Sequence, residues 1–166
     1  KHYNPNIDYL IFHEGNIPIK HQKYIYKQTP ILNLKFINVS KEFKWNIPCK
    51  EACSDLPYLN TGYRNMCRFW IIGFWKYVKK YSKILRIDED CYYYSNYNDI
   101  FHMLNNKACV YGYYSGDEEF VTKGLNKFTL DFLKSKNIIK KEKPVGGPYT
   151  NVIGFNLDKL KKNKLL

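Results

Sequence analysis

Arginine is scarce in this sequence. Of its 27 basic residues only Arg64, Arg68 and Arg86 are arginine, and the rest are lysine. A surface built to read phosphates favours arginine, whose planar fork bonds two oxygens at once. The formal net charge of +12 therefore reads chiefly as codon bias. Lys, Asn, Ile, Tyr and Phe are all encoded by AT-rich codons, which points to a large virus or a protist as the source. A basic nucleic-acid-binding module is the less favoured alternative. Long apolar runs are also missing. No stretch of about 18 apolar residues occurs, so the chain offers no membrane-spanning helix. Zinc ligands are too few: Cys49 and Cys53 share the loop "IPCKEACSDLP", but no second Cys or His pair lies nearby. They suit either a local disulfide or two thiols. Cys67, Cys91 and Cys109 stand in apolar contexts and are expected to be buried thiols. No G-x-G-x-x-G fingerprint opens a helix, so Gly146, Gly147 and Pro148 are a weak phosphate signal. No Ser-His-Asp or Cys-His arrangement stands out.

What is present is a chain of 166 residues with 45% hydrophobic content, which suits one domain with a sizeable core. "IDYLIFH" (7–13) reads as a buried strand and "PIKHQKYIYKQ" as a helix with Pro18 in its first turn. "ILNLKFINV" (31–39) alternates as a second strand. The clearest helix spans Thr61 to Tyr81, with Tyr63, Met66, Cys67, Trp70, Ile71, Phe74, Val78 and Tyr81 on its apolar face. "KILRID" follows as a strand, "NDIFHMLNN" as a short helix and "KACVYGYY" as a strand. "GDEEFVTKGLNKFTLDFLKSKN" reads as one helix weakened by Gly124. "GGPYTNVIGFNLDKL" reads as turn, strand and helix start. The lysine-rich "SKNIIKKEKPVGG" reads as a mobile loop. Strands alternating with helices imply an α/β layer architecture with a mostly parallel sheet.

The most informative stretch is "KILRIDEDCYYY". Asp88, Glu89 and Asp90 stand side by side at the end of an apolar strand, although adjacent like charges repel. In α/β sheets ligands bind outside the carboxyl ends of strands. If the strand stays extended, residues two apart share a face, so Asp88 and Asp90 converge while Glu89 turns away. Two convergent carboxylates suit a divalent cation whose shell is completed by substrate phosphates. A plain acidic turn paired with lysines is the simpler reading of a D-x-D alone.

The residues around it carry a resemblance. The run Tyr63, Arg64, Met66, Cys67, Arg68, Phe69, then the strand end Arg86, Ile87, Asp88, Glu89, Asp90, then Tyr111 and Gly112, resembles glycosyltransferase family 15. That is the fungal α-1,2-mannosyltransferase family, within the GT-A glycosyltransferases, and the likeness covers about Tyr63 to Tyr113. It implies a GT-A, Rossmann-like nucleotide-sugar-binding fold with a mixed, mostly parallel sheet flanked by helices. It also implies Mn²⁺ or Mg²⁺, a nucleotide-sugar donor such as GDP-mannose, and a glycan or glycoprotein acceptor. Asp88 and Asp90 take the metal. Arg64, Arg68 and Asp88 lie near the nucleotide diphosphate, and Tyr111 and Tyr113 line the acceptor side. The expected activity is transfer of a hexose, with mannose the one the family implies. An inactive GT-A domain that binds a glycan or partner is the other alternative. The family works in the Golgi or ER lumen; a viral source implies the host cytoplasm.

The family's late-strand Glu has no counterpart in "TNVIGFNL", and the fold's common late His is missing. The first nucleotide-binding strand has no match ahead of Ile7. Residues 1–166 are therefore expected to form a single GT-A-like domain incomplete at both ends. Asp117 and Glu118, with Glu119, are weak catalytic candidates, since acids also favour a helix start. His13 and Glu14 read as structural. Tyr92, Tyr93 and Tyr94 suit either stacking on a sugar or base, or ordinary packing.

Overall fold

The computed structural model describes residues 6–44, 61–91, 96, 98–116, 122–138 and 146–162. Within it the chain divides into two compact units, Lys1–Lys80 and Tyr81–Leu166. Cys49, Cys53, Tyr92, Tyr93, Tyr94, Asp117, Glu118, Glu119 and most of the lysine-rich loop lie outside the described residues.

In the first unit β1 (Asp8–His13) pairs in parallel with β2 (Asn33–Asn38). The register runs from Asp8 opposite Asn33 to His13 opposite Asn38. Helix α1 (Ile19–Gln28) makes the crossover that a parallel pair requires. Pro18 stands just before it with extended backbone, one place earlier than a first-turn proline. Asp8 accepts a hydrogen bond from Asn33 and an ion pair from Lys35 across the two strands.

The long helix expected from Thr61 to Tyr81 forms as three pieces. Helix α2 (Thr61–Arg68) runs into a π-helical turn, Phe69–Gly73, and then α3 (Trp75–Val78). The π step is marked by Phe74 N–H donating to the Phe69 carbonyl, 2.8 Å, five residues back. One extra residue in a turn moves every later side chain around the axis. The buried side chains are consequently Asn65, Phe69, Phe74 and Val78, with a five-residue step at the π turn, where Gly73 is buried as well. Ile71, expected on the apolar face, is 70% exposed. Phe12 of β1 meets Phe69, Trp70, Phe74 and Tyr77 edge-on or nearly so, at centroid distances of 5.5 to 6.0 Å. This is the aromatic core of the unit, in the geometry that ring quadrupoles favour.

The second unit is built on a three-stranded sheet. Strand β3 (Lys83–Ile87) is followed by α4 (Asn98–Asn106) and β4 (Cys109–Tyr111). Late in the chain, β7 (Val152–Asn156) inserts between β3 and β4, antiparallel to both. A short pair forms from β5 (Tyr114–Ser115) and β6 (Gly147–Pro148), also antiparallel. The expectation of a mostly parallel sheet is therefore corrected. Among the described residues one pairing is parallel and the others are antiparallel. The architecture is mixed α/β with small sheets. The physical reason is the insertion. A β-α-β alternation does make β3 and β4 run the same way, but it does not say which strand fills the gap between them.

Gly154 of β7 lets α4 approach closely. A Cβ there would sit 3.0 Å from Val110 Cγ2 and 3.1 Å from Leu104 Cδ1. Leu104 and Leu157 are fully buried. Asn156 ties the unit together. Its side-chain amide donates to the Leu104 carbonyl, 2.7 Å, near the end of α4. Its side-chain oxygen accepts Lys159 N–H, 2.9 Å, and so caps α6 (Leu157–Lys162). Helix α5 (Leu125–Ser135) starts after Gly124, whose φ is +81°. Gly124 therefore interrupts the single helix expected across it, because L residues avoid that conformation. Among the described residues no helix is long and apolar enough to cross a membrane.

Candidate functional site

Because β3 and β4 are both antiparallel to β7, their carboxyl ends lie at the same edge of the sheet. Ile87 stands opposite Val152, and both Arg86 and Tyr111 stand opposite Ile153. The two strand ends are thus level, about 10 Å apart across one intervening strand. The acidic triplet leaves one end and the tyrosines Tyr111, Tyr113 and Tyr114 leave the other.

The triplet is a turn, not a strand continuation. Strand β3 ends at Ile87, and Cys91 N–H donates to the Asp88 carbonyl, 3.0 Å, closing a four-residue turn. The argument that Asp88 and Asp90 share a face of an extended strand does not apply to this geometry. The pair that does share a face is Arg86 and Asp88. Their Nη2 and Oδ1 atoms are 2.7 Å apart, with the guanidinium 14% and the carboxylate 24% exposed. A first positive partner for the triplet is therefore the chain's own arginine, two residues upstream. The turn is anchored from below: Asp88 N–H donates to the Asn151 carbonyl, 2.9 Å. The Cys91 thiol lies 3.8 Å from that same carbonyl oxygen and 3.9 Å from Asp90 Oδ1.

Among the described residues no group of three or more His, Cys, Asp or Glu side chains is arranged to hold a metal ion. The donor set at the turn still suits a hard cation. Arg86 takes one oxygen of Asp88, its second oxygen and Asp90 are carboxylate donors, and the half-buried anchor of the turn fixes their origin. Carboxylates of this kind, one or two at a time, hold Mg²⁺-like ions when substrate phosphates supply the other ligands.

The tyrosine corner is more ordered than its exposure implies. The Tyr113 and Tyr149 rings stack with centroids 4.7 Å apart and planes 19° apart. Tyr149 N–H donates to the Tyr113 carbonyl, 2.9 Å, and the Tyr114 hydroxyl donates to the Gly146 carbonyl, 2.9 Å. Tyr111 and Tyr114 approach to 6.5 Å. Loss of hydration raises the Tyr113 hydroxyl above its ordinary pKa, with neighbouring Tyr149 adding to the shift. Gly146 permits the corner. Its φ is +76°, and a Cβ would fall 2.4 Å from the Ser115 carbonyl oxygen.

Comparison of the chain with family models, with curated proteins and with solved structures returns no match in any of the three. The site stands on its geometry.

Arg64 and Arg68 lie on α2 in the first unit, whereas Asp88, Asp90, Tyr111 and Tyr113 lie in the second. Within the first unit, Arg68 contributes to the field that lowers the Glu42 carboxyl pKa; the largest cause there is the hydrogen bond from Lys76. Cys67, Cys91 and Cys109 are free thiols and half-buried rather than buried. Burial raises the Cys109 thiol. His13 does read as structural: the residue is 8% exposed and its Nδ1 accepts Gly15 N–H, 3.1 Å.

Sequence reasoning missed the roles of Arg86, Asn151 and Tyr149. Arg86 was within reach, since strand period two places it beside Asp88. Asn151 and Tyr149 were not, because they reach this edge only through the late insertion of β7.

Proposed function

We propose that the chain carries a metal-dependent glycosyltransferase site. It would move a hexose from a nucleotide-sugar donor to a glycan or glycoprotein acceptor, in a GT-A-like domain. The observation that carries this reading is the acidic turn at the carboxyl end of β3, level with the tyrosine-bearing end of β4. An anionic donor and a hydroxyl-rich acceptor call for two such neighbouring surfaces.

In this reading Asp88 and Asp90 hold the cation that carries the donor diphosphate. Mn²⁺ or Mg²⁺ bound there supplies electrostatic stabilisation of the diphosphate leaving group. Arg86 orients Asp88 by its hydrogen bond. Tyr111 and Tyr113 face the acceptor. GDP-mannose as donor, and donor-phosphate contacts for Arg64 and Arg68, rest on the family resemblance alone.

The test is thermal-shift and titration binding of GDP-mannose and other nucleotide sugars, with and without Mn²⁺. The comparison is wild type against Asp88→Asn and Asp90→Asn. Stabilisation that needs both the nucleotide sugar and Mn²⁺, and that falls about tenfold or more in affinity in each variant, supports the site. Equal binding in wild type and both variants removes it. Divalent-independent RNA binding with a steep salt dependence would favour the basic-module alternative instead.

A further inference from the structure

We propose that α1 is a peripheral membrane anchor whose outward row of lysines lies against an anionic lipid surface. The proposal does not rest on the glycosyltransferase reading: α1 belongs to the first unit and the acidic turn to the second. The helix "IKHQKYIYKQ" (Ile19–Gln28) holds Lys20, Lys23 and Lys27 and no acidic residue. On an α-helix the three fall within about 60° of one another, and Lys20 and Lys27 stand about 10 Å apart along the axis. The row faces outward. All three lysines are exposed, while Gln22 and Ile25 on the opposite side are half-buried. The Gln22 amide donates to the Ile17 carbonyl, 2.9 Å, and the Tyr26 hydroxyl to the Leu34 carbonyl, 3.0 Å. These bonds fix which side of the helix is turned out. Ile19 and Tyr24, each 63% exposed, flank the row on its two sides.

The row works against the helix that carries it. Lys20 and Lys23 are three residues apart, Lys23 and Lys27 four, and like charges at those spacings repel. Lys20 also stands in the first turn, where the helix dipole favours an acid and none is present. Among the described residues none of the three ammonium groups has an ion-pair partner. Other lysine-bearing helices are balanced: Lys127 pairs with Asp131 in α5, and Lys161 lies 3.9 Å from Asp158 in α6. Codon bias supplies lysines to all three helices, but it does not explain a row left without acids. A negative surface outside the chain relieves the repulsion. The residue types choose that surface. A nucleic acid calls for arginine forks, and α1 has no arginine. An anionic leaflet presents diffuse charge that lysines meet as hydrated point charges, each strengthening binding about fivefold. Tyrosine and isoleucine beside the lysines suit the boundary between headgroups and acyl chains, where tyrosine is enriched. Contact of this kind is reversible and needs no spanning helix.

The experiment is flotation of the full chain with vesicles of phosphatidylcholine alone and of phosphatidylcholine mixed with phosphatidylserine, in low and high salt. Wild type should bind the phosphatidylserine vesicles in low salt, release them in about 1 M NaCl and leave the neutral vesicles unbound. The triple variant Lys20→Glu, Lys23→Glu, Lys27→Glu should lose binding about a hundredfold or more. A second triple, Lys41→Glu, Lys107→Glu, Lys134→Glu, changes the net charge equally outside α1 and should bind as wild type. Tyr24→Ser should weaken binding about fivefold, and Tyr24→Trp should keep it. Circular dichroism melts follow the fold of each variant. Where the glutamates disturb it, the same three positions as glutamine, also a good helix former, should still weaken binding. If folded wild type does not bind phosphatidylserine vesicles, or if both glutamate triples lose binding alike, the anchor is wrong. If polyuridylate or polyglutamate binds through these lysines and the vesicles do not, the lipid assignment is overturned.

Discussion

Phe12 and Tyr113 both sit at the heart of an aromatic group, one in each unit, yet their surroundings differ. Phe12 is ringed by Phe69, Trp70, Phe74 and Tyr77, and Phe69 is 2% exposed. Tyr113 has one stacked neighbour and is more than half open. The same Tyr- and Phe-rich composition thus does two jobs. In the first unit rings replace aliphatic packing and their edges and faces are used up. In the second the rings are held at a corner with faces to spare. Composition alone does not separate these uses; the local partners do.

The comparison predicts opposite costs for removing a ring. Phe69→Ala should destabilise by about 3–5 kcal/mol, the usual cost of deleting a buried phenylalanine. Tyr113→Ala should fall within about 0.5 kcal/mol, as exposed substitutions do. Urea denaturation of both variants checks this. A large loss in Tyr113→Ala would make the tyrosine corner a part of the core.

Glycines sharpen the same contrast. Gly154→Ala puts a methyl against Val110 and Leu104 in the packed interior of the second unit. Overpacking of that kind costs about 1–3 kcal/mol. Gly146→Ala meets the Ser115 backbone at a left-handed φ. Its effect should be local, separating Tyr113 from Tyr149 while the cores persist. Near-ultraviolet circular dichroism, which reads tyrosine environments, should change more for Gly146→Ala than its melting temperature does. The opposite order would show that the corner supports the sheet.

How far the sequence discloses this arrangement varies along the chain. The strand 83–87 and the helix 98–106 are legible because hydrophobic period is a local property, although the cap expected at Asn98 or Asp99 is supplied by the Asn96 side chain, which accepts Asn98 N–H. The acidic turn is conspicuous for the same reason: three adjacent carboxylates need no partner to be noticed. The π turn at Phe69–Gly73 is hidden because "FWIIGFW" is apolar at nearly every position, so no period survives to be shifted. The sheet order is hidden because β7 enters from the far end of the chain. That one insertion brings Asn151 under the Asp88 turn and Tyr149 against Tyr113. Half of the candidate site is therefore written beside Asp88 and half some 60 residues later.

The two units also differ in how they hold a carboxylate. Asp88 pairs with Arg86 at a strand tip. Glu42 lies within the Ser40–Phe43 3₁₀ turn of the first unit, pairs with Lys76 and accepts the Tyr77 hydroxyl, 3.1 Å. The hydrogen bond from Lys76 is the largest cause holding the Glu42 carboxyl below its ordinary 4.5. The same bond is the largest cause raising Lys76 above 10.5. A carboxyl with a lowered folded pKa stabilises the fold above about pH 4.5, and that share is lost as pH falls through the folded value. A lysine with a raised folded pKa stabilises below about pH 10.5 and loses its share as pH rises beyond. The pair therefore favours the fold between those limits and withdraws on either side. Lys76 is open to solvent, so salt screens the effect, and it should be the smallest of those predicted here. In low salt, wild type should lose stability more steeply below pH 4.5 than Glu42→Gln. In about 1 M NaCl the two profiles should converge. Parallel profiles in low salt would show that Glu42 acts through its packing near Gly73, where a Cβ would lie 3.0 Å from its Oε2, rather than through its charge.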